Sequence, residues 1–267
     1  MSLDTLLTDR RRSAISGHSF ASIWSRHMGK LGIISGTLAL QGKSVFGELT
    51  ETTVETDFGA ALVLHTPQLA LIPRHGRDPR RHILPHRINH PANLAALKLL
   101  GVNEVIGLNS TGSLRKDLKP GAIVIPDDYI LLDGGPTIFD SPDSKPLHIT
   151  PVLHDGIRQK ALDAARLCGI DAITSGIYWQ TNGPRFETRA EIALMSRFAD
   201  IVGMTMASEA VIAQELDIAY ASICSVDNFA HGIGAQKLTL KGILEHARRN
   251  TEAIISIILK YLEGRTT

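Results

Sequence analysis

Cysteine is scarce in this sequence: Cys168 and Cys224 are the only two among 267 residues. Two isolated cysteines make neither a disulfide framework nor a zinc site. Both lie inside apolar segments, so buried free thiols in a reducing, cytoplasmic compartment are expected. Long hydrophobic runs are missing as well. The nearest, AIISIILKYL, is interrupted by Ser256 and Lys260 and falls short of the roughly 20 apolar residues of a membrane span. Charge of one sign is also lacking: the net charge is +1, which gives no electrostatic reason to expect nucleic acid or a membrane as partner. A P-loop and a GxGxxG run are absent, so neither a nucleoside triphosphate nor a dinucleotide is indicated. What is present, 43% hydrophobic and 21% charged residues, is the composition of a soluble globular protein with a sizeable core.

Residues 1–30 have no continuous apolar stretch of a secretory signal, and Asp4 and Asp9 argue against a transit peptide. They are expected to form an extension outside the core, which the sequence places at 31–264. Within that core, short β-rich runs (LGIISGT, AALVLHT, LALIPRHG, NEVIGLNSTGS, GAIVIPDDYILL, AITSGIYWQ, DIVGMT, IAYASICSVDN) alternate with helical ones. HPANLAALKLLG and HDGIRQKALDAARLCG carry helical spacing and end in glycine, the residue favoured just past a helix. Thr188-Arg189-Ala190-Glu191 reads as a capping box, and TLKGILEHARRNTEAIISIILKYLEG as a long closing helix. The alternation predicts a single α/β domain with a central mixed, largely parallel twisted sheet flanked by helices. The loop at 131–151 is long enough to be functional or to reach a neighbouring subunit.

In such sheets ligands gather beyond the carboxyl ends of the strands. Those ends carry Ser35-Gly36-Thr37, Arg74-His75-Gly76-Arg77, Asn109-Ser110-Thr111-Gly112-Ser113 (taken as a small polar turn), Gly183-Pro184-Arg185-Phe186-Glu187, Met204-Thr205 and Asp227-Asn228. Small hydroxyls, glycines that expose backbone N–H groups and an arginine suit a tetrahedral oxyanion such as phosphate.

Six ordered motifs give this pattern a resemblance: GIISGT, PRHGR, HILPHRINHPAN, NSTGSLRKDLKPGAIVIPDDYI, NGPRFETRAEI and VGMTMASEAVIAQEL. Over about residues 31–262 the chain resembles the trimeric purine nucleoside phosphorylases, most closely the branch with methylthioadenosine and methylthioinosine phosphorylases. The resemblance implies a pentosyltransferase of purine salvage that works as a homotrimer or a dimer of trimers. It implies phosphorolysis of a purine nucleoside to free base and ribose 1-phosphate, with inorganic phosphate as co-substrate and no metal or other cofactor.

Residue by residue, the resemblance assigns Thr37, Arg74, His75, Asn109, Ser110 and Thr205 to phosphate, Arg74 for the match of its planar fork to two oxygens. Leu38 departs from the family's glycine after the threonine; a non-catalytic purine or nucleoside sensor is the reading that this departure supports. Met204 is placed against the sugar, or simply in the core. Glu209 matches a family acid, though an acid at the start of a helix also suits the helix dipole. Leu240 and Leu244 align with the pocket for the 5′ substituent, where a helical core stripe explains them equally well. His148 resembles a histidine offered to the neighbouring subunit's 5′ group, or is an exposed loop residue. Phe186 corresponds to the aromatic against the purine face.

Asn228 corresponds to the residue that faces N7 and the C6 substituent, and Glu187 to an acceptor for N1–H. An Asn can donate to a 6-oxo group and accept from N7–H, whereas an ionised Glu187 repels the N1 lone pair of adenine. Both point to a 6-oxopurine, as in inosine, guanosine or 5′-methylthioinosine; methylthioadenosine phosphorolysis is the alternative. Asp227 stands beside Asn228, and a one-residue slip would present its carboxylate instead, so both are candidate catalytic groups.

Overall fold

Strand β1 (Lys30–Ser35) shows how the sequence builds the sheet. Leu31 and Ile33 point to one face and Ile34 to the other, all fully buried, as the two-residue period of a strand covered on both sides requires. The computed structural model describes residues 29–36, 45–140, 148–234 and 240–266. Most of the N-terminal extension and Thr37 therefore lie outside the described residues.

Two neighbours flank β1 in parallel, the short β4 (Leu69–Pro73) on one side and the long β5 (Val102–Ser113) on the other. The antiparallel pair β2 (Thr50–Thr56) and β3 (Gly59–His65) extends the sheet beyond β4. Strand β10 (Ala219–Phe229) runs parallel to β5 and also takes the two-residue β6 (Ile123–Val124). Short strands β7 (Asp128–Ile130), β8 (Ile177–Gln180) and β9 (Ile201–Gly203) are mutually parallel, and β9 meets the end of β5. The order is β2-β3-β4-β1-β5-β9-β8-β7, with β10 branching from β5. This is the α/β architecture with a mixed, largely parallel sheet that the alternation of runs implied.

Helices α1 (His90–Leu99) and α4 (Met206–Glu215) share one core cluster with the sheet, and α2 (Asp155–Leu167) and α5 (Leu240–Thr266) share another. Leu94 and Leu97 of α1 are fully buried, each stabilising the fold by about 1.5–3 kcal/mol. Asn89 caps α1 by accepting from the Ala92 N–H, and positive-φ glycines, Gly101 and Gly169, follow α1 and α2. The short α3 (Arg189–Met195) buries Ile192 and Met195 against Trp179 and Val202.

Several local expectations are corrected. Asn109–Ser113 is no turn: β5 continues through it, because each residue stays paired with β10 from Asn109 opposite Cys224 to Ser113 opposite Phe229, across one shift of register between Val226 and Asn228. GAIVIPDDYILL forms two strands rather than one, with Pro126, which has no N–H to donate to a ladder, lying between β6 and β7. Strand β2, an alternating threonine-rich run, was not anticipated. Cys224 is buried, but Cys168, at the C-cap of α2, is only half-buried.

Candidate active site

The carboxyl ends of β1, β4, β5, β9 and β10 surround a cavity of about 460 Å³. Its inner end is lined by Gly36, Arg74, His75, Ser110 and Thr205, its outer end by Phe186, Glu187, Met204 and Asn228.

At the inner end Arg74, following the apolar strand β4, is 2% exposed, and its fork faces protein. Nη1 donates to Asn109 Oδ1 and to Thr205 Oγ1 (2.5 Å), and Nη2 to the carbonyls of Ile34 (2.7 Å) and Leu108 (2.8 Å). Nε lies 3.1 Å from Glu209 Oε1 without the alignment of a hydrogen bond, so this contact is an ion pair. The guanidinium thus ties β1 and β5 to α4. Asn109, 1% exposed, sits in the same network behind the cavity wall. Its Oδ1 also accepts from Thr205 Oγ1 (2.8 Å), and its Nδ2 donates to Ser222 Oγ (2.8 Å).

Thr205 is the N-cap of α4, yet its hydroxyl caps no helix N–H. Other side chains serve the first turn: the Tyr178 hydroxyl accepts from the N–H groups of Thr205 and Met206 at 3.3 and 3.4 Å, and Gln180 Oε1 accepts from Ser208 N at 3.1 Å. Unsatisfied N–H groups at a helix start need such partners. Because β8 provides them, the Thr205 hydroxyl is free to join Asn109.

His75 presents a lone pair. Its Nδ1 donates to the Ile83 carbonyl at 2.7 Å, and its ring stacks on His82 with centroids 4.5 Å apart. Burial, aided by the neighbouring Arg74 and His82 and opposed by the Ile83 bond, lowers its pKa to about 4. The ring is therefore neutral at pH 7, and Nε2, on the side of Gly36 and Arg74, is an acceptor.

Asp227 and Asn228 take separate directions. The pairing of β10 with β5 shifts register between Val226 and Asn228, a bulge that re-aims side chains. Asn228 lines the cavity, with Nδ2 donating to the Phe229 carbonyl at 2.9 Å. Asp227 is fully buried and off the lining. Its Oδ1 accepts from Asn250 Nδ2 (2.8 Å) and its Oδ2 from Ser225 Oγ (3.0 Å), while Ser110 also donates to it. Burial raises its pKa against the pull of these three donors. Asn228, not Asp227, therefore stands on the cavity wall, and the one-residue slip that would present the Asp227 carboxylate is not seen; Ser110, which lines the cavity, donates to Asp227 behind it.

At the outer end Thr188 and Glu191 form the capping box that opens α3, and a cis Gly183–Pro184 bond turns the chain before it. This turn sets Phe186, 46% exposed, on the cavity wall, and Glu187, 7% exposed, beside it. The Thr181 hydroxyl donates to Glu187 Oε1 at 2.6 Å. Met204 lines the cavity at the same end.

The sequence matches the family described as the phosphorylase superfamily over residues 30–263. The chain belongs to that superfamily. Among its relatives, a probable 6-oxopurine nucleoside phosphorylase of Archaeoglobus fulgidus is 43% identical over 233 residues, covering 85% of this chain and 93% of that one. A probable S-methyl-5′-thioinosine phosphorylase of Methanocaldococcus jannaschii is 35% identical over 242 residues, covering 87% and 91%. Among solved structures, the methylthioadenosine phosphorylase of Schistosoma mansoni in complex with adenine aligns with a TM-score of 0.78 at 28% identity, covering 88% of this chain and 91% of that one.

Within this member of the superfamily, the cavity brings together Arg74, His75, Ser110, Thr205, Phe186, Glu187, Met204 and Asn228. His148 is exposed and off the lining. The side chains of Leu240 and Leu244 fall outside the described residues. Sequence reasoning missed Tyr178, Gln180 and Tyr220, which look like ordinary strand residues, and Thr181, whose place six residues before Glu187 was the available signal.

Proposed function

We propose that the protein is a pentosyltransferase that cleaves a 6-oxopurine nucleoside by phosphorolysis, with inorganic phosphate as the only co-substrate. The observation that carries this reading is the single cavity with an oxyanion-type inner end and the Glu187–Asn228 pair at its outer end. Phosphate sits in the field of Arg74 against His75, Ser110 and Thr205, below the anomeric carbon. Holding it there converts a bimolecular attack into an oriented one. As the N-glycosidic bond breaks, the C–N electron pair moves onto the purine and a phosphate oxygen bonds to C1′. N7 takes a proton from solvent as the base leaves, and Asn228 Oδ1 accepts a hydrogen bond from that N7–H, which stabilises the departing base. Glu187 Oε2 accepts from N1–H, Phe186 covers the ring, and Met204 lies against the ribose. His75 Nε2, being an acceptor, takes a hydrogen bond from a protonated phosphate oxygen.

Relatives named for 6-oxopurine nucleosides and methylthioinosine support the base preference. The likeness to methylthioadenosine phosphorylase structures favours a second reading, a 6-aminopurine substrate. An acceptor at Glu187 facing the N1 lone pair of adenine argues against it. His148, exposed and away from its own cavity, suits a contribution to a neighbouring subunit in a cytoplasmic homotrimer. Incubation with inosine, guanosine, methylthioinosine and methylthioadenosine, with and without phosphate, tests the proposal. Phosphate-dependent release of hypoxanthine or guanine is expected. Hydrolysis without phosphate, or cleavage of methylthioadenosine alone, would overturn it.

A further inference from the structure

Glu209 is the one acid buried against the cation at the inner end of the cavity among the described residues, and the reaction above leaves it without a role. It is completely buried in the first turn of α4. Its Oε1 faces Arg74 Nε at 3.1 Å yet receives no hydrogen bond, an orphaned buried atom on each side of the contact. Its Oε2 lies 2.7 Å from the Tyr220 hydroxyl. A hydroxyl either donates to a carboxylate or accepts from a carboxylic acid. The Tyr220 contact therefore serves both protonation states, while the unaligned Arg74 contact depends on charge alone.

We propose that Glu209 is the exchangeable counter-ion of Arg74: when an oxyanion enters the cavity, Glu209 takes up a proton and cedes Arg74 to the anion. The inference rests on the reading of the inner end as a phosphate site. Arg74 is the cation of that end, and its Nη donors stay with Asn109, Thr205 and the strand carbonyls throughout. What changes is which anion balances it. Two like charges around one buried cation disfavour each other, so a doubly charged ligand drives the carboxylate toward its neutral form. The proton comes from solvent and bonds to a carboxylate oxygen; no other bond is made or broken.

The surrounding groups leave Glu209 as the group in this cluster that titrates near neutrality. Burial, partly offset by Arg74 and Tyr220, raises its pKa to about 7. From β10, Tyr220 and Cys224 face it, both held protonated by burial. Around Arg74, Tyr178 of β8 is likewise protonated, and His75 and His90, at the start of α1, are neutral, lowered to about 4 and about 3. Asp227 lies behind Ser110 and is the separate carboxyl that a variant must distinguish.

Sulfate is the probe, because it does not titrate in the range used. Calorimetry on the full chain, in buffers of differing ionisation enthalpy at pH 8, should read uptake of about half a proton or more per sulfate bound. Sulfate affinity should fall about tenfold per pH unit above neutrality, a readout that needs no variant. In Glu209→Gln the uptake should vanish, and sulfate should bind about tenfold tighter than to the wild type at pH 8. A merely structural glutamate would give weaker binding on substitution. Sulfate binding without proton uptake, or uptake that persists in Glu209→Gln, overturns the proposal while leaving the phosphate site standing. Absence of sulfate binding at any pH overturns the phosphate reading, and this inference with it.

Discussion

Replacing Glu187 by Gln should shift base preference toward 6-aminopurines. The Thr181 hydroxyl donates to Oε1 at 2.6 Å and will continue to donate to the carbonyl oxygen of the glutamine. The amide NH₂ then takes the position of Oε2, facing the ligand. For a 6-oxopurine this replaces a charge-assisted acceptor by a donor that confronts N1–H. The lost bond is worth about 1.5–3 kcal/mol, or roughly 10- to 150-fold in kcat/KM. For a 6-aminopurine the NH₂ meets the N1 lone pair and gains a neutral hydrogen bond of about 0.5–1.5 kcal/mol. The ratio of inosine to adenosine cleavage should therefore fall by about 2–4.5 kcal/mol, roughly 30- to 2000-fold. Initial rates for both nucleosides at saturating phosphate measure it, followed as release of free base. A ratio changed by less than about threefold would show that Glu187 does not meet N1, since that falls about tenfold short of the smallest change expected.

Two further outcomes follow from the folded structure. Thr188→Ala removes the acceptor for the Glu191 N–H (3.2 Å) and should cost about 1 kcal/mol, read as a lower urea midpoint; an unchanged midpoint refutes the cap's contribution. Acid stability depends on histidines with lowered pKa. His75 and His90 fall from 6.5 to about 4 and about 3, so their contribution is present above pH 6.5 and lost as pH falls toward those values. Glu209, raised from 4.5 to about 7, works oppositely: its contribution is present below pH 4.5 and lost as pH rises through 7. Asp227, also raised, acts in the same sense as Glu209. Two histidine protons against that of Glu209 leave at most about one proton, and Asp227 lowers the figure further, so unfolding free energy should drop by up to about 1.4 kcal/mol per unit between pH 6.5 and 5. In Glu209→Gln the drop should steepen; urea titrations at both pH values measure it, and stability that rises toward acid refutes it.

The sheet class and the helices were legible because their signals are local: apolar runs of fixed period, and glycines or a capping box at helix ends. The polar tip of β5 was not. Asn, Ser, Thr and Gly in succession are turn formers in isolation, and only pairing with β10 keeps Asn109–Ser113 extended. Residues ending in the cavity were largely legible, since Asn228 stands at the carboxyl end of β10 and Phe186 and Glu187 in the turn before α3. The direction of Asp227 was not, because a bulge is a property of two strands and leaves no mark in one. The engagement of the Arg74 fork was equally hidden. Its partners come from positions 34, 108, 109, 205 and 209, brought together only by the fold.

Strand β8 acts as a gauge. Tyr178 and Gln180 hold the first turn of α4, which carries Thr205, and the next residue, Thr181, holds Glu187. From Tyr178 to Thr181 is three steps of about 3.3 Å, so roughly 10 Å of extended chain sets the spacing between the two ends of the cavity. An extended backbone bonded in a ladder neither stretches nor shortens. Inserting or deleting a single residue after Gln180 would put the two ends out of step even with every side chain retained.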